Sequence, residues 1–385
     1  MMGLSSLHAS TPAALPANII QPKEESVFDK LWRIPQLYKD DSNPFIEEFK
    51  IIGRYQGDLY NLSPSKAPKT ANEKDYFNWE TRRIRTGVEM WLFDRHLRIL
   101  AEADTLPDKG IVYNRMTSLN LRYHLNDEFN LLIGKMEPRF GYEQMESDRF
   151  HIFFERSFYD NQIVVDFATT AEVDGKIGNW GYYAAVYSED INKEFGQFRG
   201  GWGYQGEISY DASKALRSDK ALLALDYLHS DINKKNSLIF NRCNNAAAAY
   251  FDYKSGPFGL VTQLAYANGA FGRGAIGEFL IMPSYEITKK LEVLARYAYG
   301  LSDKPGGITM LNRQEKLIGA GATGDTMNST YVGLNYYIYG KKLRLMTGLQ
   351  YDSLTGGKDG PGTGKGTPGR GYKGWTYLAG VRMYW

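Results

Sequence analysis

The chain closes with Trp375-Thr376-Tyr377-Leu378-Ala379-Gly380-Val381-Arg382-Met383-Tyr384-Trp385, and the fold turns on how this stretch is read. Trp375, Tyr377, Ala379, Val381, Met383 and Trp385 share one face. Thr376, Gly380 and Arg382 share the other, with Leu378 and Tyr384 as imperfections. A period of two belongs to a strand that is wet on one side and apolar on the other. The segment before it repeats the pattern: Leu343, Leu345, Thr347, Leu349 and Tyr351 alternate with Lys342, Arg344, Gln350 and Asp352. Further upstream, Leu97, Ile99, Ala101 and Ala103 alternate with His96, Arg98, Glu102 and Asp104. Ile84, Val88, Met90 and Leu92 alternate with Arg83, Arg85 and Glu89.

A soluble sandwich also alternates, so the connections have to decide. Short turns are expected near 93–95, 126–128, 254–257, 287–289 and 340–341, with longer ones near 171–175 and 211–219. Long connections are expected at 61–76, 105–113, 137–161, 188–201, 230–245, 269–274, 302–326 and 353–373. Short turns on one rim and long loops on the other, joining about sixteen strands, describe a transmembrane antiparallel up-and-down β-barrel. In lipid each backbone N–H and C=O needs an internal partner, so the last strand must pair with the first, near residues 47–62. Trp91, Tyr123, Phe129, Tyr285, Tyr299, Tyr337, Tyr339 and Trp385 lie near strand ends and are expected to form interfacial girdles.

Composition agrees. Aromatic residues are 14% of the 385, with 28 Tyr and 40 Gly, which suits strands and turns. No apolar run approaches the roughly 18 residues of a membrane helix. The formal charge is +2, without the basic excess of a nucleic-acid binder. Cys243, the single cysteine, reads as a free thiol in a loop. Residues 1–46 read as a leader remnant followed by a periplasmic segment, in which Phe28, Leu31, Trp32, Ile34 and Leu37 form a short amphipathic stretch limited by Pro35. Residues 47–385 read as the barrel.

Ile133-Gly-Lys-Met-Glu-Pro-Arg-Phe-Gly-Tyr-Glu-Gln144 and Ser147-Asp-Arg-Phe-His-Ile-Phe-Phe-Glu-Arg-Ser157 resemble the phosphate-selective porin O and P family. So do Gly53-Arg-Tyr-Gln-Gly57 and Arg82-Arg-Ile-Arg85, and Trp385 resembles the terminal aromatic signal of bacterial outer-membrane proteins. The resemblance covers residues 47–190 best. It implies a sixteen-stranded homotrimer whose third loop, here 137–161, folds inward as a constriction. Arg139, Arg149 and Arg156 are its basic members; Glu137, Glu143, Glu146, Asp148 and Glu155 share the segment and weigh against phosphate preference.

With the apolar face on lipid, the wet face carries Lys50, Arg54, Arg83, Arg85, Arg98, Arg122, Arg296, Arg344 and Arg382, and also Glu89, Glu102, Asp226, Glu292 and Asp352. Two readings of these arginines stay open. They line the passage for anions, or they pair across the wall and hold register and loop position. Gly319-Ala-Gly-Ala-Thr-Gly324 matches a dinucleotide pattern but lacks a βαβ context, and reads as a flexible external loop. Gly364-Lys-Gly-Thr367 fails the spacing of a phosphate-binding loop. No histidine set has metal or hydrolase spacing, so neither an enzyme, a cofactor nor a metal is expected. The expected partners are small hydrophilic solutes or anions, outer-membrane lipid and lipopolysaccharide, and further copies of the chain. The functional readings are an anion-preferring diffusion porin, a general or sugar-type porin with weak selectivity, and a structural envelope barrel.

Overall fold

A computed structural model describes residues 25–67, 76–147, 149–163, 167–188, 194–196, 198, 201–231, 243–269, 274–319, 321–356 and 371–385. The leader expected in 1–18, Asp148 and most of the glycine-rich 356–371 lie outside the described residues. Two compact units divide at Ile34 and Pro35. The first contains helix α1, Val27–Arg33. Its start is a capping box: Ser26 Oγ accepts from the Asp29 N–H at 3.1 Å, and the Asp29 carboxylate accepts from the Ser26 N–H at 2.9 Å. Pro35 follows directly and does not continue the helix.

The second unit is a closed antiparallel barrel of sixteen strands. In chain order they are β1 Ile46–Lys66, β2 Phe77–Leu92, β3 Leu97–Leu106, β4 Ile111–Asn126, β5 Phe129–Met136, β6 Ala168–Ile177, β7 Trp180–Ser188 and β8 Trp202–Asp211. The second half comprises β9 Lys220–Ser230, β10 Asn245–Ser255, β11 Phe258–Ala267, β12 Ile276–Thr288, β13 Leu291–Ser302, β14 Thr326–Tyr339, β15 Leu343–Thr355 and β16 Tyr372–Tyr384. A short strand, Gln36–Lys39, pairs with the start of β1. β16 pairs with β1 from Lys373↔Lys66 to Tyr384↔Arg54, which removes the sheet edge.

The seam ends on Trp385. Its backbone exchanges hydrogen bonds with Gly53, N–H to O at 3.1 Å and O to N–H at 3.0 Å. Its indole lies over Gly53, where a Cβ would collide with the ring. Glycine lets the terminal aromatic lie flat against β1.

Alternation sorts the side chains. Trp375 and Tyr377 of β16 are 44% and 52% exposed on the outer wall, whereas Thr376 and Arg382 are 1% exposed on the inner one. Leu225, Leu264, Ile208 and Leu345 are exposed in the same outward way. Such a belt is a liability in water and is matched by hydrocarbon in a bilayer. Leu378 and Tyr384, the two imperfections, face inward: Leu378 joins the buried cluster inside the barrel and Tyr384 accepts from Gln56 at 3.1 Å.

Several expectations are corrected. The turn placed at 171–175 lies inside β6; the chain reverses at Gly178, where φ is 60°. Gly175 is small because a Cβ there would meet the Glu128 carbonyl, not because the chain turns. The connection placed at 105–113 shrinks to residues 107–110, and β1 runs to Lys66 rather than 62. Cys243 is a thiol outside any disulfide, in a connection as expected, but buried just before β10. Trp91 and Tyr337 leave the expected girdle. Trp91 Nε1 donates to Glu89 at 3.0 Å, and Tyr337 donates to Glu292 at 2.5 Å, because polar partners on the inner face satisfy their polar atoms. The 319–324 stretch is not a flexible external loop: Thr323–Gly324 pairs with Ile308–Thr309, and Ala322 is fully buried.

Replacing Gly53 by Leu is expected to push Trp385 off the seam and weaken the barrel by about 1–3 kcal/mol. The check is the denaturant midpoint of heat-modifiable mobility; an unchanged midpoint rejects the role given to this contact.

Candidate functional site

Residues 137–167 connect β5 to β6, six residues longer than expected, and the described ones fold into the barrel. They contain helix α2, Tyr142–Met145, and helix α3, Phe158–Ile163. Phe140, Phe153, Phe154, Phe158, Tyr159 and Ile163 are buried against the inner wall. That wall is made smooth where the rings land. A Cβ at Gly300 of β13 would overlap the Phe158 ring, and one at Gly380 of β16 would press on Phe154. Tyr331 of β14 lies across Gly333 and Gly348 and receives Phe153 edge-on, centroids 5.4 Å apart at 75°. Small residues on β10–β16 therefore select the side of the barrel on which the loop sits.

Polar wall groups satisfy the loop backbone. Asp226 accepts from the Gly141 N–H at 2.9 Å, and Gln263 accepts from the Tyr142 N–H at 2.8 Å. Three of the wet-face arginines do the converse. Arg296 donates to the Glu155 carbonyl at 2.7 Å and to Glu143 at 3.2 Å. Arg344 donates to the His151 carbonyl. Arg382 pairs with Asp58 and lies 5.1 Å from the Phe154 ring. All three are buried, which for a charge requires such partners. Here the reading as loop anchors describes what the side chains touch. Arg344 and Arg382 even face each other across β15 and β16, a like-charge pair held by the loop above it.

The other wet-face arginines gather on the opposite arc, β1–β6. Arg54 is directly across from Arg85, and Arg98 directly across from Arg122. Two β-bulges enrich this arc. Arg82 is the unpaired residue of a bulge between β1 and β2, and Thr117 of one between β3 and β4. Each reverses the phase of its strand, so that Glu80, Arg82, Arg83 and Arg85 turn inward together, as does Arg115 beside Asp104. Four guanidinium groups then meet two carboxylates. Glu102 takes both oxygens to Arg54 at 2.8 Å and accepts from Arg149 at 3.0 Å, with Arg85 at 3.9 Å. Arg85 is 3.5 Å from Asp104, and Arg85 and Arg115 both stack on Phe167, at 5.0 and 4.8 Å.

Arg83 donates to Gln56 at 2.8 Å. Arg122 reaches Asp174 at 2.5 Å and Glu172 at 3.3 Å; Arg139 reaches Glu172 at 2.6 Å. Arg98 lies 5.9 Å from the Trp91 ring. Arg156 pairs within the loop, with Glu137 at 2.5 Å and Asp160 at 3.6 Å. A polar cavity of about 610 Å³ is bounded by Arg82, Arg83, Arg85, Arg115, Glu137 and Arg313. Arg82, read only as part of a family motif, and Arg115, Arg313 and Phe167 were not among the candidate site residues of the sequence. Arg82 and Arg115 fall on the lipid-facing phase if one alternation is run through the whole strand; the trace of the bulge at Arg82 is the shift of the apolar phase from Phe77 and Trp79 to Ile84 and Val88.

The loop carboxyls respond to this setting. Glu143 is held down to about 2: burial opposes its charge, but a hydrogen bond from His151 and the Arg296 guanidinium outweigh it. Asp160 is pushed up to about 7 by burial and by the neighbouring Glu143 and Glu137, against the pull of Arg156.

A family model described as phosphate-selective porin O and P matches residues 49–352. No curated protein matches the sequence. Among solved structures, the outer-membrane channel DcaP of Acinetobacter baumannii is similar at 12% identity over 91% of this chain and 100% of that one, with a TM-score of 0.55. OmpF of Salmonella typhi, solved with daunomycin, has 11% identity over 91% and 100%, with a TM-score of 0.59. OprB of Pseudomonas putida has 9% identity over 88% and 94%, with a TM-score of 0.56. Likenesses this remote speak to the fold alone.

Two outcomes are expected. Gly300→Val removes the seat of Phe158, so the loop lifts and single-channel conductance rises; Gly277→Val, on the outer wall with nothing tight around it, leaves conductance unchanged. Equal conductance in both variants counts against the seat. Asp160 titrates above the ordinary carboxylate range, so its contribution to loop stability is full in acid and fades as pH rises through about 7. Conductance is expected to rise over that interval, and Asp160→Asn to flatten the part of the rise centred there.

Proposed function

This chain belongs to the phosphate-selective porin O and P family, it sits in the outer membrane, and from that premise we propose that its pore passes small hydrophilic anions in preference to cations. One observation carries the proposal: the β1–β6 arc, which the loop meets through charged side chains, places arginine directly opposite arginine twice, Arg54↔Arg85 and Arg98↔Arg122. Like charges facing across strands are unfavourable for the sheet. A wall that accepts this cost presents an attractive field to an anion in a narrow, weakly screened passage. Planar guanidinium forks suit phosphate or carboxylate oxygens. Arg139 and Arg149 extend the same surface from the loop, while Arg156 is engaged by Glu137 and Asp160 within it. The chain acts as a homotrimer in this reading, in keeping with the family.

A second reading, a general porin with weak selectivity, is favoured by the carboxylates set among those arginines: Glu102, Asp104, Glu172 and Asp174. The two readings separate in planar bilayers under a salt gradient. Anion preference predicts a reversal potential on the chloride side, and a permeability ratio that falls about twofold or more when Arg98 and Arg122 are replaced by Ala. Equal permeability for anion and cation in the native protein leaves the weakly selective porin.

A further inference from the structure

The connection between β13 and β14 also enters the barrel, and nothing in its sequence announced this. Its base is packed: Ile308, Met310 and Ile318 are buried in the same cluster as the 137–167 loop. Gln162 of α3 donates to the Thr309 carbonyl at 2.8 Å, tying the two loops together. Asn312 donates to Asp352 of β15 at 3.2 Å, and Thr376 of β16 donates to Glu315 at 2.5 Å. From there the chain passes β15, β16 and β1 and reaches β2. Arg313 makes a two-point ion pair with Glu80, at 2.6 and 3.2 Å, and Gln314 donates to the same carboxylate at 3.3 Å.

The bulge at Arg82 makes this reach meaningful. It brings Glu80 and Arg82 to the same inner face. Arg82 grips Glu155 of the 137–167 loop, one bond at 2.8 Å, while Glu80 grips Arg313. One short piece of β2 thus holds the tips of two loops that start from different parts of the barrel. Arg313 and Leu317 border the polar cavity together with Arg83 and Arg85. Breaking the Glu80 contact would free the Arg313 side chain to leave the cavity while Asn312 and Glu315 keep the backbone beside it on β15 and β16.

We infer that the β13–β14 connection is a second constriction element, and that the Arg313–Glu80 bridge sets the size limit for solutes entering the arginine-lined cavity. The inference rests on the porin reading above but not on anion preference. Its test uses the full chain in proteoliposomes and planar bilayers. Arg313→Glu and Glu80→Arg, each alone, should raise single-channel conductance about 1.5-fold or more and admit larger neutral sugars in swelling assays. The double exchange, Glu80→Arg with Arg313→Glu, should restore both readings. Arg313→Gln gives the same comparison if a reversal fails to assemble, as judged by heat-modifiable mobility. Single variants with native conductance and size limit overturn the inference. So does a double exchange that stays as permeable as the singles. A native chain that conducts nothing at all removes the porin reading itself, and this inference with it.

Discussion

A chain in hydrocarbon has no water to complete its backbone hydrogen bonds, and every other feature of this protein follows from meeting that demand. Sixteen strands meet it by closing on themselves, and the join is made where β16 meets β1. The terminal Trp385 pairs its backbone with Gly53 and lays its ring on the bare glycine. Closure in turn dictates the division of side chains. Apolar residues must face outward on alternate positions, and whatever is polar must face the lumen. Buried arginine and carboxylate here are therefore not exceptions to a hydrophobic core; they are the inner surface of the wall.

The inner surface is then divided by the β5–β6 loop, with the β13–β14 connection packed beside it. Residues 137–167 bring their own small hydrophobic core into the barrel, and that core needs a wall without protruding side chains. Glycines and alanines on β10–β16 provide it, with Gly300 and Gly380 receiving Phe158 and Phe154. The arginines beneath, Arg296, Arg344 and Arg382, are drawn into fastening the loop carbonyls. On β1–β6 the described loop residues meet the wall through ion pairs and Phe167, and Arg54, Arg85, Arg98 and Arg122 lie among carboxylates of the wall. Thus residues of one type and one alternation phase do two different jobs. Which job each does depends on whether a loop is packed above it.

The arc on β1–β6 owes its charge density to local irregularity. The bulges at Arg82 and Thr117 each move one strand out of phase with the pattern that the rest of the barrel keeps. Thr117 is itself fully buried, its hydroxyl 3.0 Å from a Glu102 carboxylate oxygen and 3.1 Å from the Glu102 carbonyl, so the bulge also braces the residue that gathers Arg54, Arg85 and Arg149. Bulges commonly re-aim side chains beside functional sites, and here they do so where Arg149 and Glu155 of the loop meet the wall.

Much of this was legible in the residues alone. Alternation in 343–352 and 375–385, the spacing of turns and the need for closure led to a barrel of about sixteen strands with the last joined to the first. Those features are local, or follow from a constraint that applies to any chain in lipid. Gly175 misled because a glycine that permits a close backbone approach looks the same in sequence as one that turns the chain. Arg83, Arg85 and Arg344 were placed on the wet face, yet nothing in the sequence separates Arg344, roofed by His151, from Arg85, which borders a cavity. Arg82 and Arg115 were left out of the wet-face set, because one extra residue in a strand changes the phase without changing the composition. The sequence by itself determined that the wall is closed, which face of each regular strand is wet, and that residues near 137–161 enter the lumen by resemblance to a family. Only the tertiary structure decided where the loops land and which arginines they cover. Those outcomes depend on contacts between residues more than a hundred positions apart, and on bulges whose register is defined only against a neighbouring strand.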